Sequence, residues 1–79
     1  MQISLEISYY PLDPDYRDII AAFLERLEVS GLNYTVGMMN TLITGEYILV
    51  MQELGYIMQD FLEKYPSIFT LKISNACLN

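Results

Sequence analysis

Histidine and tryptophan are absent from this 79-residue chain, and cysteine occurs once. Without histidine the commonest general base is missing, and with it the usual partner of a nucleophilic serine. A lone Cys77 forms no disulfide framework and no paired-thiol metal site. It follows Ala76 near the end of an apolar run and reads as a small packed residue rather than a nucleophile. Basic residues are scarce as well: four Lys and Arg stand against ten Asp and Glu, for a net charge of −6. Arg17, Arg26, Lys64 and Lys72 lie apart in the sequence. Phosphate backbones are bound by clustered cations, so nucleic acid is not an expected partner. The four glycines are isolated, which leaves no glycine-rich phosphate loop. Long hydrophobic runs are lacking too. Even runs such as Ile19 to Leu24 and Tyr47 to Met51 fall far short of a membrane span, and no basic segment precedes an apolar stretch at the start of the chain. A soluble cytoplasmic protein, without membrane contact and without a signal peptide, is the expectation.

What the chain has in quantity is apolar side chains, 53% of its residues. Seventy-nine residues make a single domain, 1–79. A domain of this size buries only about 60% of the surface of its unfolded chain. Some of the apolar surface then has to stay wet in a monomer, and contiguous wet apolar surface marks an interface. Self-association to a dimer or tetramer is expected. The acidic balance suits a cationic small ligand and is equally an ordinary solubility device.

Two helices stand among four strands. Over residues 2–9, Ile3, Leu5, Ile7 and Tyr9 alternate with Gln2, Ser4, Glu6 and Ser8, the period of a strand with one buried face. Asp13-Pro14 is a helix start, with Asp13 capping free amides and Pro14 at the first helical position. Tyr16, Ile19, Ile20, Phe23, Leu24 and Leu27 then recur at spacings of three and four until Gly31 stops the helix. Residues 33–39 and 41–46 read as strands joined by a tight turn near Asn40. A second helix runs from about Tyr47 to Tyr65 and ends before Pro66. Its core stripe is Tyr47, Val50, Met51, Leu54, Ile57, Met58, Phe61 and Tyr65, while Ile48, Leu49 and Tyr56 fall off it as candidates for a subunit contact. Residues 67–76 form the last strand, with Phe69, Leu71, Ile73 and Asn75 on one face. The order β-α-β-β-α-β predicts an α+β, ferredoxin-like βαββαβ sandwich. Its four-stranded antiparallel sheet has spatial order 4-1-3-2 and both helices on one face.

No constellation for catalysis or metal binding is present. Asp13 and Asp15 flank Pro14 at a helix start, where carboxylates cap free amides; no metal ligands and no catalytic residues are assigned, and the protein is expected not to be an enzyme. In the predicted topology the end of the third strand, Gly45-Glu46, meets the end of the fourth, Ser74-Asn75. Asn75 shares the parity of the core residues there, so its amide should point at the helix layer beside the space left by Gly45. A buried amide needs partners and can both donate and accept; a ligand or strand-end backbone groups would each serve.

Around these residues the sequence resembles a known family. Ser8-Tyr9-Tyr10-Pro11-Leu12, Ser30-Gly31-Leu32-Asn33-Tyr34, Met39-Asn40-Thr41-Leu42-Ile43-Thr44-Gly45-Glu46 and Ile73-Ser74-Asn75-Ala76-Cys77 are similar, in order, to segments of the thiamine-binding-protein family. That family includes the YkoF-like hydroxymethylpyrimidine-binding proteins. The Ser-Asn-Ala-Cys ending is the most specific of these segments. The chain departs from the pattern in carrying Tyr10 between Tyr9 and Pro11 and in ending two residues after Cys77, from which a pocket with one wall fewer is expected. The resemblance implies a ferredoxin-like fold, oligomers, and binding without turnover of thiamine or its pyrimidine moiety, as ligand rather than cofactor. By motif position it implies Tyr9, Thr41, Gly45, Glu46, Ser74 and Asn75 as ligand-binding residues. Asn75 and Ser74 would pair with the aminopyrimidine edge, Thr41 would add a hydroxyl, and Glu46 would offset positive charge. The alternative is an oligomeric interaction or regulatory module without a small-molecule ligand, its cleft filled by its own side chains.

Overall fold

The alternation at the start of the chain produces β1 (Gln2–Pro11) in the computed structural model, which describes residues 1–76. Cys77, read above as a packed residue, lies outside the described residues. Ile3, Leu5 and Ile7 are all but fully buried, and the residues between them are partly open. The strand runs two residues further than its alternation indicated, through Tyr10 and Pro11, because β4 continues to pair with it there.

Asp13 and Pro14 do not open the helix as expected: the N-cap position is Asp15, and Pro14 stands in a turn ahead of the first helical residue, Tyr16, because Asp13 bonds within that turn. The Asp13 Oδ1 accepts the Asp15 N–H at 2.8 Å, and its carbonyl accepts the Tyr16 N–H at 3.1 Å. This tight turn delivers the chain into α1 (Tyr16–Ser30), whose Ile19, Phe23 and Leu27 face the sheet. Gly31 ends it at φ 79°, the left-handed conformation that a Cβ disfavours.

β2 (Asn33–Val36) is shorter than the expected 33–39. The physical reason is a four-residue turn: the Gly37 N–H donates to the Asn40 carbonyl at 2.7 Å, which withdraws residues 37–40 from the ladder. The chain returns as β3 (Thr41–Glu46), with Val36 opposite Thr41. α2 (Tyr47–Lys64) follows without a loop. The Glu46 carboxylate caps it, accepting the Leu49 N–H at 3.0 Å. Tyr65, already extended, ends it before Pro66. Val50, Leu54, Ile57 and Phe61 are buried, Met51, Met58 and Tyr65 are half-buried against them, and Ile48, Leu49 and Tyr56 are exposed, as the stripe predicted; Tyr47, expected in the core, is instead exposed in the first turn. β4 (Ser67–Ser74) closes the sheet and stops two residues short of the expected end.

The sheet order is β2-β3-β1-β4, every neighbouring pair antiparallel. Both helices bury their apolar stripes against Ile3, Leu5, Ile7 and Ile43 on one face, and Arg26 of α1 pairs with Asp60 of α2 at 2.7 Å. This is a ferredoxin-like α+β fold. α2 starts beside the end of β3 and reaches β4 only near that strand's start. The second half of β4 is therefore bare on the helix side, and Leu71 and Ile73 are 37% and 44% exposed although they share the parity of the core. The opposite face carries Ser4, Glu6, Ser8, Thr70, Lys72 and Ser74, as expected, and adds Leu42 and Ile68.

Candidate ligand-binding site

β1 outruns β3. Their pairing stops at Ile7 opposite Thr41, while β1 continues for four residues beside β4. The place that β3 would occupy beside Tyr9 to Pro11 is left vacant, and a cavity of about 580 Å³ opens there. One wall is α1, through Tyr16, Ile20 and Leu24; the other is the β2–β3 hairpin, through Met38, Met39 and Asn40. Ile20 and Leu24 belong to the apolar stripe of α1 and are only partly buried where they border this space, Leu24 also packing against the core. The Ser8 hydroxyl donates to the Met39 carbonyl at 3.3 Å and ties the Gly37–Asn40 turn to β1.

The end of β1 supplies both the aromatic wall and a polar edge. The Tyr9 ring stacks on Phe69 with centroids 4.2 Å apart, leans on Phe23 and Phe61, and its hydroxyl lies 3.0 Å from Ser67 Oγ. That ring is fixed. The Leu12 N–H donates to the Pro66 carbonyl at 2.8 Å, so Leu12 turns its backbone toward the β4 side. Backbone direction alternates along an antiparallel strand, so Tyr10 and Ser8 turn the same way, and Tyr9 and Pro11 the other. On that other side no strand residue lies opposite Tyr9, whose N–H and C=O face the vacancy side by side. Pro11 has no N–H to leave unpaired at such an edge. Next to this edge stands Thr41, buried to 7% exposure, with a hydroxyl that bonds no other described residue and retains access to the cavity.

The structure divides the six residues singled out in the sequence. Tyr9 and Thr41 come together in the cavity. Gly45, Glu46, Ser74 and Asn75 gather at the other end of β1, where Gly45 faces Ile3 and Ser74 faces Ser4. Ile3 and Ile7 are four residues apart on one strand, roughly 13 Å. The room left by Gly45 is taken by Val50, whose Cγ2 would lie 3.0 Å from an added Cβ. Glu46 is engaged as the cap of α2 and, at 3.6 Å, with the Met1 ammonium. The Leu49 N–H holds its carboxyl below the ordinary glutamate range; partial desolvation opposes this, and the ammonium adds to it. The Ser74 hydroxyl accepts the Ala76 N–H at 3.0 Å. Asn75 lies past the end of β4 and is exposed, not turned into the helix layer, because α2 does not cover that part of the strand.

Sequence reasoning missed Tyr10, Tyr16, Met38, Met39 and Asn40 as lining residues. One signal was available. Two methionines at the tip of a hairpin are out of place in a turn, where Gly, Asn, Asp and Pro prevail, and both are almost wholly exposed.

The comparisons with known proteins bear on this site. No curated protein matches the chain. Among solved structures, a Thermotoga maritima protein, described provisionally as a thiamine biosynthesis/salvage protein, superposes with a TM-score of 0.81 at 22% identity, over 94% of this chain and 83% of its own. A Streptococcus pneumoniae protein gives 0.89 at 18% identity, over 99% and 90%. A domain of unknown function from Bacillus cereus gives 0.78 at 23% identity, over 94% and 75%. At such identities the likeness establishes the fold. The family model described as thiamine-binding protein matches residues 5–75, which include the cavity lining and reach from within β1 to just past β4, and the chain belongs to the thiamine-binding-protein family.

Proposed function

We propose that the protein binds thiamine or its hydroxymethylpyrimidine moiety, without chemical turnover, in the cavity beside the end of β1. The observation that carries this reading is the pairing of the free Tyr9 backbone edge with the Thr41 hydroxyl, which bonds no other described residue, inside a largely apolar cavity. An aminopyrimidine presents a ring-nitrogen acceptor next to an amino donor. One strand residue presents an N–H next to a C=O on the same side, which is the complementary pair. A volume of about 580 Å³ lies within the range of small-molecule sites, about 300–1,000 Å³, and such sites combine apolar walls with a few convergent polar groups. Tyr10, Tyr16 and Met39 supply flat or adaptable surface for an aromatic ring. The lining offers binding groups and no base beside a nucleophile.

In this reading Tyr9 and Thr41 touch the ligand. Gly45 and Glu46 hold α2 against the sheet, and Ser74 and Asn75 belong to the far end of β4. The reading includes self-association: Ile48, Leu49 and Tyr56 on α2, with the bare Leu71 and Ile73 of β4, form the apolar surface that a second copy would cover. Calorimetric titration of the protein with thiamine and with hydroxymethylpyrimidine tests the ligand. Saturable binding of both, one per chain, is expected. The absence of binding by either overturns the proposal.

A further inference from the structure

The free edge of Tyr9 is a donor beside an acceptor: its N–H only donates, its C=O only accepts, and no strand residue lies opposite them. An amidine edge, in which a ring nitrogen stands beside an amino group, pairs with it one way round. A lactam edge, in which a ring N–H stands beside a carbonyl, pairs with it once the ring is turned over. The two heteroatoms keep their places on the ring and exchange roles. Preference for one edge over the other then falls to the remaining polar groups of the lining.

Those groups have no fixed polarity. They are the hydroxyls of Ser8, Tyr9, Tyr10, Tyr16 and Thr41 and the amide of Asn40, each of which both donates and accepts. The Ser8 and Tyr9 hydroxyls are engaged, with the Met39 carbonyl and with Ser67. Thr41 stands next to the edge, and its hydroxyl bonds no other described residue, so its hydrogen turns toward an acceptor or away from a donor as the ligand requires. No lining residue is an Asp or Glu, which accept when ionised, or a Lys or Arg, which only donate. Arg17 touches the lining at Tyr16, where its Nε donates to the hydroxyl at 3.2 Å and its guanidinium lies over the ring at 5.7 Å. That contact is on α1, whereas the Tyr9 edge and Thr41 belong to β1 and β3.

Resting on the reading above, we propose that the site takes 4-oxopyrimidines in their lactam form as well as 4-aminopyrimidines. Its ligand class is then a flat pyrimidine with a donor next to an acceptor, in either order. A site that reads a ring through side chains of fixed polarity rejects the reversed edge, because buried groups are left unpaired. Here the reversed edge leaves none unpaired: the Tyr9 N–H meets the ring carbonyl, the Tyr9 C=O meets the ring N–H, and the Thr41 hydroxyl rotates. Turning the ring over carries a 5-hydroxymethyl group to the other side of the edge, and a cavity of about 580 Å³ holds so small a group on either side.

The test is calorimetric titration of the whole chain with three compounds: 4-amino-5-hydroxymethyl-2-methylpyrimidine, its 4-oxo counterpart, and the 4-oxo compound methylated at N3. The first two are expected to bind within about tenfold of each other, the span of one net hydrogen bond. Methylation at N3 removes the donor and leaves the Tyr9 carbonyl unpaired, so the third compound is expected to bind more than about fivefold more weakly than its parent. A gap between the amino and oxo compounds wider than about tenfold, in either direction, overturns the proposal and leaves the aminopyrimidine reading standing. An N3-methyl compound that binds within about fivefold of its parent overturns it as well, since the Tyr9 edge then does not read the ring. Failure of the amino compound to bind overturns the aminopyrimidine reading, and this inference with it.

Discussion

Thr41 and Glu46 sit at the two ends of β3 and have opposite claims on function. The Thr41 hydroxyl opens on the cavity and bonds no other described residue, so its removal is felt by a ligand and hardly by the fold. Thr41→Val keeps the shape and deletes the donor and acceptor. A net hydrogen bond contributes about 0.5–1.5 kcal/mol, so affinity for thiamine should fall roughly two- to twelvefold while the urea midpoint holds. An unchanged dissociation constant would remove Thr41 from the site. Glu46 is the reverse case. Its carboxyl is held below the ordinary range chiefly by the Leu49 N–H. A depressed folded pKa contributes stability that is complete above the unfolded value and is lost as pH falls through the folded one. Melting temperatures of wild type and Glu46→Gln should therefore differ at neutral pH and converge in acid, below the ordinary glutamate range, while thiamine affinity stays the same. A parallel offset at every pH, or weakened binding, would return Glu46 to a ligand role.

At the scale of elements, the site exists because two strands of unequal length share one sheet. β1 is drawn out to Pro11 by β4, and β3 cannot follow because the Gly37–Asn40 turn takes the chain away. α1 forms the wall and is aimed by the Asp13 turn rather than by a cap on its first residue; Asp15 makes no side-chain cap bond. Asp13→Ala should lower stability by about 0.5–2 kcal/mol, read from urea denaturation, and loosen the Leu12–Tyr16 rim that α1 shares with the cavity. Asp13→Asn keeps the acceptor oxygen and should recover most of that loss. If neither substitution changes the midpoint, the turn is held by Pro14 and the backbone bond to Tyr16 alone. α2, by contrast, begins directly after β3 with no loop between them. Its Val50 fills the space over Gly45, which closes the far end of the sheet where the sequence pattern had left an opening.

For the whole molecule, a wet apolar surface on α2 and the bare half of β4 predicts association. Sedimentation equilibrium at micromolar concentration should return a multiple of the chain mass, and Tyr56→Glu, placing an unpaired charge in the contact, should shift it toward the monomer. A monomer mass for the wild type would show that Ile48, Leu49 and Tyr56 are simply exposed. Alternation in β1, stripes at helical spacing in α1 and α2, and stops at Gly31 and Pro66 are local signals. They were sufficient for the element order, the sheet order and the side of the sheet that the helices cover. The parity of Asn75 was equally legible; its exposure was not, because that depends on how far α2 reaches across β4. The cavity is a matter of register. Nothing in the run Tyr9-Tyr10-Pro11 states that β3 will end opposite Ile7, and a hydroxyl such as that of Thr41 looks the same in sequence whether a neighbour or a ligand satisfies it. The sequence by itself determined which residues turn inward, since period and parity belong to the chain. Only the tertiary structure decided which inward-facing residues meet protein and which meet open space, because that is set by the relative lengths and offsets of strands far apart in the chain.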